Sequence, residues 1–167
     1  MDTASIGNAL LGFACLSESL WIAKRAVNKW KADPHRTARN GCTLLHLACD
    51  GGSLDVVKWL VIECKVDPNL PDKNGRTPLH EACWDGHLEV AKWLVAECQV
   101  NPDQRTEHGE SPLHAACRNG WPGVIKWLML ECKLDPKLAD KYGQTPRSLV
   151  SWIGDCEMPA LLKKRPQ

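Results

Sequence analysis

One Tyr and one Phe are the only aromatics besides Trp in 167 residues, and no run of 18 or more apolar residues occurs. The second absence argues against a membrane-spanning helix. Charge of one sign is missing too: Lys+Arg 21 against Asp+Glu 20 gives a formal net charge of +1. That balance, with 44% hydrophobic residues, is unlike a disordered chain and lacks the basic signature of a nucleic-acid or membrane-surface binder. Also lacking are a nucleophile beside a plausible base, a carboxylate pair outside repeating positions and a Gly-rich phosphate loop. An enzyme, a cofactor and a small-molecule substrate are therefore not expected. The apolar stretch Ala4 to Leu16 has Asp2 where a secretory signal would be basic, and Lys24 and Arg25 come too late. It reads as part of the fold. A cytoplasmic chain with reduced thiols is the default; nuclear residence or delivery into a host cytosol stays open.

Against these absences stand eight Trp and nine Cys, a bias that copying produces. A step of 34 residues links Thr43, Thr77, Ser111 and Thr145; His46, His80 and His114; Cys15, Cys49, Cys83 and Cys117; Trp59, Trp93 and Trp127; and Gly41, Gly75, Gly109 and Gly143. The chain divides into units at 9–42 (degenerate), 43–76, 77–110 and 111–144, with a shortened unit at 145–167, all within one array over 1–167. Such a period means stacked supersecondary units, none able to bury its apolar face alone. In each unit, Thr77-Pro78 or its equivalent opens a short helix that Gly86 closes. A second helix follows with Leu88, Val90, Ala91, Leu94 and Val95 on one face, and Asn101-Pro102 breaks it. A polar, turn-rich, hairpin-like loop leads to the next unit.

The strings TLLHLAC (43–49), TPLHEAC (77–83) and SPLHAAC (111–117), each followed by Gly, an apolar helix and an Asp-Pro or Asn-Pro turn, resemble ankyrin repeats. The resemblance covers residues 9 to 164 and implies an all-α repeat solenoid of helix-turn-helix units joined by hairpin-like loops. Units here are one residue longer than the usual 33, the excess lying near Glu63-Cys64-Lys65. The first unit has Gly12, and the last Ser148, where the others have His.

The His-x-x-Cys pairs invite a metal reading, but packed helices lie roughly 8–10 Å apart whereas a closed zinc site needs ligands within about 2.0–2.3 Å of one ion. No metal site is expected. The same spacing argues against a disulfide ladder, since bridged Cα atoms lie about 4.4–6.8 Å apart. His is expected to bridge units through backbone or Thr hydrogen bonds, and Cys to act as a small buried hydrophobe. Cys42 and Cys156, outside the ladders, are expected to be the most reactive thiols. Trp59, Trp93 and Trp127 read as inter-unit packing.

Positions that differ between units are free for recognition. One set ends the first helix: Asp50, Trp84 with Asp85, Arg118 with Asn119, and Trp152 with Ile153. The other lies at the hairpin tips: Lys73, Asn74 and Arg76; Glu107, His108 and Glu110; and Tyr142. By the resemblance these line a concave face and its fingers and grip a partner protein, with Trp, Arg and Tyr as the usual anchors. Unit 77–110 carries two cations against seven anions, a net −5, so a partner with apolar groups near Trp84 and a basic group facing Glu81, Asp85, Glu107 and Glu110 is expected. The alternatives are a structural subunit of a larger assembly and a regulator acting on an enzyme in trans, including a host-directed effector.

Overall fold

The computed structural model describes residues 3–150. Trp152, Ile153 and Cys156 lie outside them. The helices run in pairs: α1 (Thr3–Leu16) with α2 (Leu20–Trp30), α3 (Leu44–Asp50) with α4 (Leu54–Ile62), α5 (Pro78–Trp84) with α6 (Leu88–Cys98), α7 (Pro112–Asn119) with α8 (Pro122–Leu130), and then α9 (Pro146–Leu149). Odd-numbered helices stack on one another to form an inner row, and α2, α4, α6 and α8 form an outer row. No strand occurs among the described residues, and no helix there is long and apolar enough to cross a membrane.

The core lies between the rows. Leu45, Leu79 and Leu113 from the inner row meet Leu60, Leu94 and Leu128 from the outer row, all essentially without solvent contact. Cys15, Cys49, Cys83 and Cys117 are buried beside them as free thiols, and burial raises Cys15 and Cys117 to about 12 and Cys49 well above its ordinary value. Trp59 and Trp127 are buried as expected, but Trp93 is only half-buried.

Each full unit starts with the same device. Thr43 N–H donates to His46 Nδ1 (3.1 Å), and the His46 backbone N–H donates to Thr43 Oγ1 (3.3 Å). A backbone N–H can only donate, so Nδ1 accepts and the proton sits on Nε2. That proton is donated to the carbonyl of Arg76, the last residue of the same unit, at 3.0 Å. His80 reaches Glu110 O and His114 reaches Gln144 O in the same way, both at 3.3 Å. Against the expected bridge between units, each His caps its own helix and ties it to the last residue of its own unit, directly before the next unit begins.

The extra residue per unit is explained at the end of each outer helix. Lys31, Lys65, Gln99 and Lys133 all take left-handed backbone with φ between 54° and 60°. The chain then turns back so that Val66 N–H reaches Leu60 O (3.0 Å) and Val100 N–H reaches Leu94 O (3.3 Å), satisfying helix-end carbonyls as a C-terminal cap does. At the start, α1 reaches back to Thr3, ahead of the expected unit boundary at residue 9. Ala9, which stands where the others have Thr or Ser, offers no hydroxyl to stop it.

Candidate functional site

The C-terminal ends of the inner helices and the loop tips bring most of the sequence-selected residues together. At the tips, a backbone ladder runs from unit to unit: Lys73 N–H to Asn40 O, Glu107 N–H to Asn74 O and Lys141 N–H to His108 O, each 2.9 Å. Gly75, at φ +79°, permits this, because a Cβ there would sit 2.8 Å from the Glu107 nitrogen. Lys73, Asn74, Glu107, His108 and Tyr142 are exposed along this edge. The Tyr142 hydroxyl lies 3.2 Å from His108 Nδ1, their rings 5.6 Å apart.

Trp84 is the centre of the inner-end cluster, though not as a freely exposed ring. It is half-buried against the core, and the Arg76 guanidinium lies over it at 5.0 Å, a cation–π arrangement. Arg76 also pairs with Glu81 at 3.2 Å. Beyond Arg76, carboxylate oxygens of Asp50, Glu81 and Asp85 lie within 4.8 Å of one another. Crowding has the usual electrostatic result. Asp85 is pushed up to about 6 by burial, then by its hydrogen bond with Asp50 and by that neighbour's charge; burial also raises Glu81, with Arg76 opposing.

The next unit is already compensated. Arg118 pairs with Glu110 and reaches Gln144 Oε1 at 3.2 Å. Of the four acids expected to face a basic partner, Glu81 and Glu110 therefore carry cations of this chain, whereas Asp85 and Glu107 have no ion pair among the described residues.

Cys42 departs from expectation. It is half-buried, and burial together with the nearby charges of Glu81, Asp72 and Asp50 raises its thiol to about 11, the opposite of activation.

Sequence reasoning missed Trp121. Its indole N–H donates to the Trp84 carbonyl at 2.7 Å, the same carbonyl that accepts from Asn119 Nδ2 at 2.7 Å. One step earlier, His87 Nε2 lies 2.8 Å from Asp50 O. Positions 87 and 121 thus repeat a second cross-unit link by different chemistry. The signal available was a hydrogen-bonding ring directly after an Asp-Gly or Asn-Gly pair at the same 34-residue step, Asp85-Gly86-His87 and Asn119-Gly120-Trp121. Both ring nitrogens of His46, His80 and His114 are engaged in the hydrogen bonds described.

Two family models match the chain, described as ankyrin repeats (3 copies) over residues 11–106 and ankyrin repeats (many copies) over residues 94–150. No curated protein matches it in sequence.

Proposed function

Because this chain belongs to the ankyrin-repeat family, we propose that it is a non-catalytic module that binds another protein through its inner-helix ends and loop tips. Ankyrin repeats generally serve protein–protein interaction. The observation that carries the finer reading is the coincidence around Trp84: a half-buried indole under Arg76, with Asp50 and Asp85 beside it. A partner offering a basic group to Asp50, Asp85 and the exposed Glu107 gains charge attraction there. An apolar group next to it gains contact with the indole edge. The near-neutral chain, with a net charge of +1, lacks the basic footprint of a nucleic-acid binder. The abundance of free buried thiols favours a reducing compartment such as the cytoplasm.

The test compares captured partners of the wild type with a Trp84→Ala, Arg118→Ala double variant. Losing one such anchor typically costs 2 kcal/mol or more, roughly thirtyfold in Kd. Binding that survives the double substitution but falls on mutating Lys58, Lys92 and Lys126 of the outer row rejects the site.

A second reading, a structural subunit, draws on a different feature. Ile6, Phe13, Leu16 and Trp21 of the first helix pair expose 42%, 60%, 46% and 69% of their surface, an unusual concentration of exposed apolar groups. Concentration-dependent association in sedimentation, abolished by Phe13→Ser with Trp21→Ser, distinguishes it.

A further inference from the structure

The histidine ladder breaks at Gly12. The carbonyls that accept from His46, His80 and His114 belong to Arg76, Glu110 and Gln144, and their counterpart one step earlier is Cys42. Its carbonyl holds the loop bond from Ala38 N–H (2.8 Å), as the Arg76 carbonyl holds one from Asp72 (2.7 Å). No imidazole reaches it, because position 12 has no side chain.

The space that remains is a cleft of about 390 Å³ between α1, α3 and the first loop. A Cβ built on Gly12 would meet no atom within 4 Å. Phe13, Ala38, Leu44 and Leu47 supply its apolar walls, with Cys42 and Arg36 also lining it. The volume suits one ring and its attachments. Arg36 makes no ion pair among the described residues, and residues 1–42 carry six cations against three anions, a net +3. The cleft therefore offers apolar walls, the polar side chains of Ser5, Asn8 and Thr43, a carbonyl acceptor and one exposed guanidinium.

We propose that this cleft is a second binding site, which takes a histidine or tryptophan side chain from an acidic segment of a partner protein. The ring lies between Phe13 and Leu47 where a ladder histidine is missing, with its N–H donated to the Cys42 carbonyl. A carboxylate next to the ring in the partner sequence pairs with Arg36. A basic segment is disfavoured by the net charge of this end. The site rests on no residue of the Trp84 cluster, and it stands or falls independently of that cluster.

The probes are N-acetyltryptophan, which carries ring and carboxylate, and N-acetyltryptophanamide, which keeps the ring alone. Each is titrated into the full chain and followed by amide NMR. Shifts centred on Gly12, Ala38, Cys42, Thr43 and Leu47 are expected, with Kd on the order of 1 mM for so small a ligand. The acid should bind about tenfold more tightly than the amide, and Arg36→Ala should erase that difference. Gly12→His and Gly12→Leu fill the cleft and should abolish binding, whereas Gly12→Ala, which leaves it open, should not. Trp84→Ala should change nothing. Absence of shifts up to about 10 mM, shifts centred elsewhere, or undiminished binding in a folded Gly12→His or Gly12→Leu variant would overturn the proposal.

Discussion

The Trp121 indole N–H donates to the Trp84 carbonyl across 2.7 Å, so that one tryptophan fixes the backbone that presents another. Replacing the indole by a phenyl ring keeps most of the contact and removes the bond. Trp121→Phe should destabilise the array by about 1 kcal/mol, read as a lowered urea midpoint with unchanged slope. A variant as stable as the wild type would mean that Asn119, which shares the acceptor, suffices.

The four tryptophans around the core should separate by burial. Trp59→Ala and Trp127→Ala remove rings only 6% exposed and should cost about 3–5 kcal/mol. Trp93, which the repeat groups with them, is half-buried and should cost clearly less, as should Trp84. Denaturant melts of the four single variants check the order; equal losses at Trp59 and Trp93 would contradict it.

Acid should unfold the array through its ladder histidines. Burial, opposed by the bond to Glu110 O, lowers His80 to about 4, and burial lowers His46 and His114 as well. A histidine depressed in the fold leaves the unfolded chain to bind the proton first. Stability from these groups is complete above the ordinary value near 6.5 and is lost as pH falls from there toward 4. The limiting slope is about 1.4 kcal/mol per pH unit for each histidine. Asp85, raised to about 6, acts in the opposite sense over the same range, so Asp85→Asn should steepen the acid loss. Urea midpoints from pH 7 to 4 measure both effects, and a profile unaltered by Asp85→Asn would disprove the opposition.

Two backbone substitutions should have opposite signs. Gln99 bears a side chain at φ 54°, so Gln99→Gly should stabilise by about 0.5–1 kcal/mol despite the freer unfolded chain. Gly75→Ala at φ +79° collides with the neighbouring Glu107 backbone and should destabilise by more than that gain. Thermal melts of both give the comparison.

What was legible in the sequence follows the repeat. Thr77, Pro78 and His80 announce a helix start because capping chemistry is local and recurs every 34 residues. The bond from His80 to Glu110 recurs at the same step, but it closes on its own unit instead of bridging to the next. Trp84 reads as a free surface group because position 84 varies between units, whereas in the fold the Arg76 guanidinium of the preceding loop covers its ring. Cys42 stood outside the ladders and looked reactive; only the folded arrangement places Glu81, Asp72 and Asp50 near it. Lys65 and Gln99 carry no sign of left-handed backbone, since nothing in a lysine or glutamine requests it. The Trp121 link escaped because His87 and Trp121 perform one task with unlike side chains.

The peptide ladder at the loop tips makes their edge a ruler. Its graduations, Lys73 to Asn40, Glu107 to Asn74 and Lys141 to His108, are backbone bonds of equal length, so their spacing does not depend on which side chains stand at the marks. Tip residues can be exchanged without changing the pitch, so a partner bound there as proposed would be selected by whether its own groups recur at that interval.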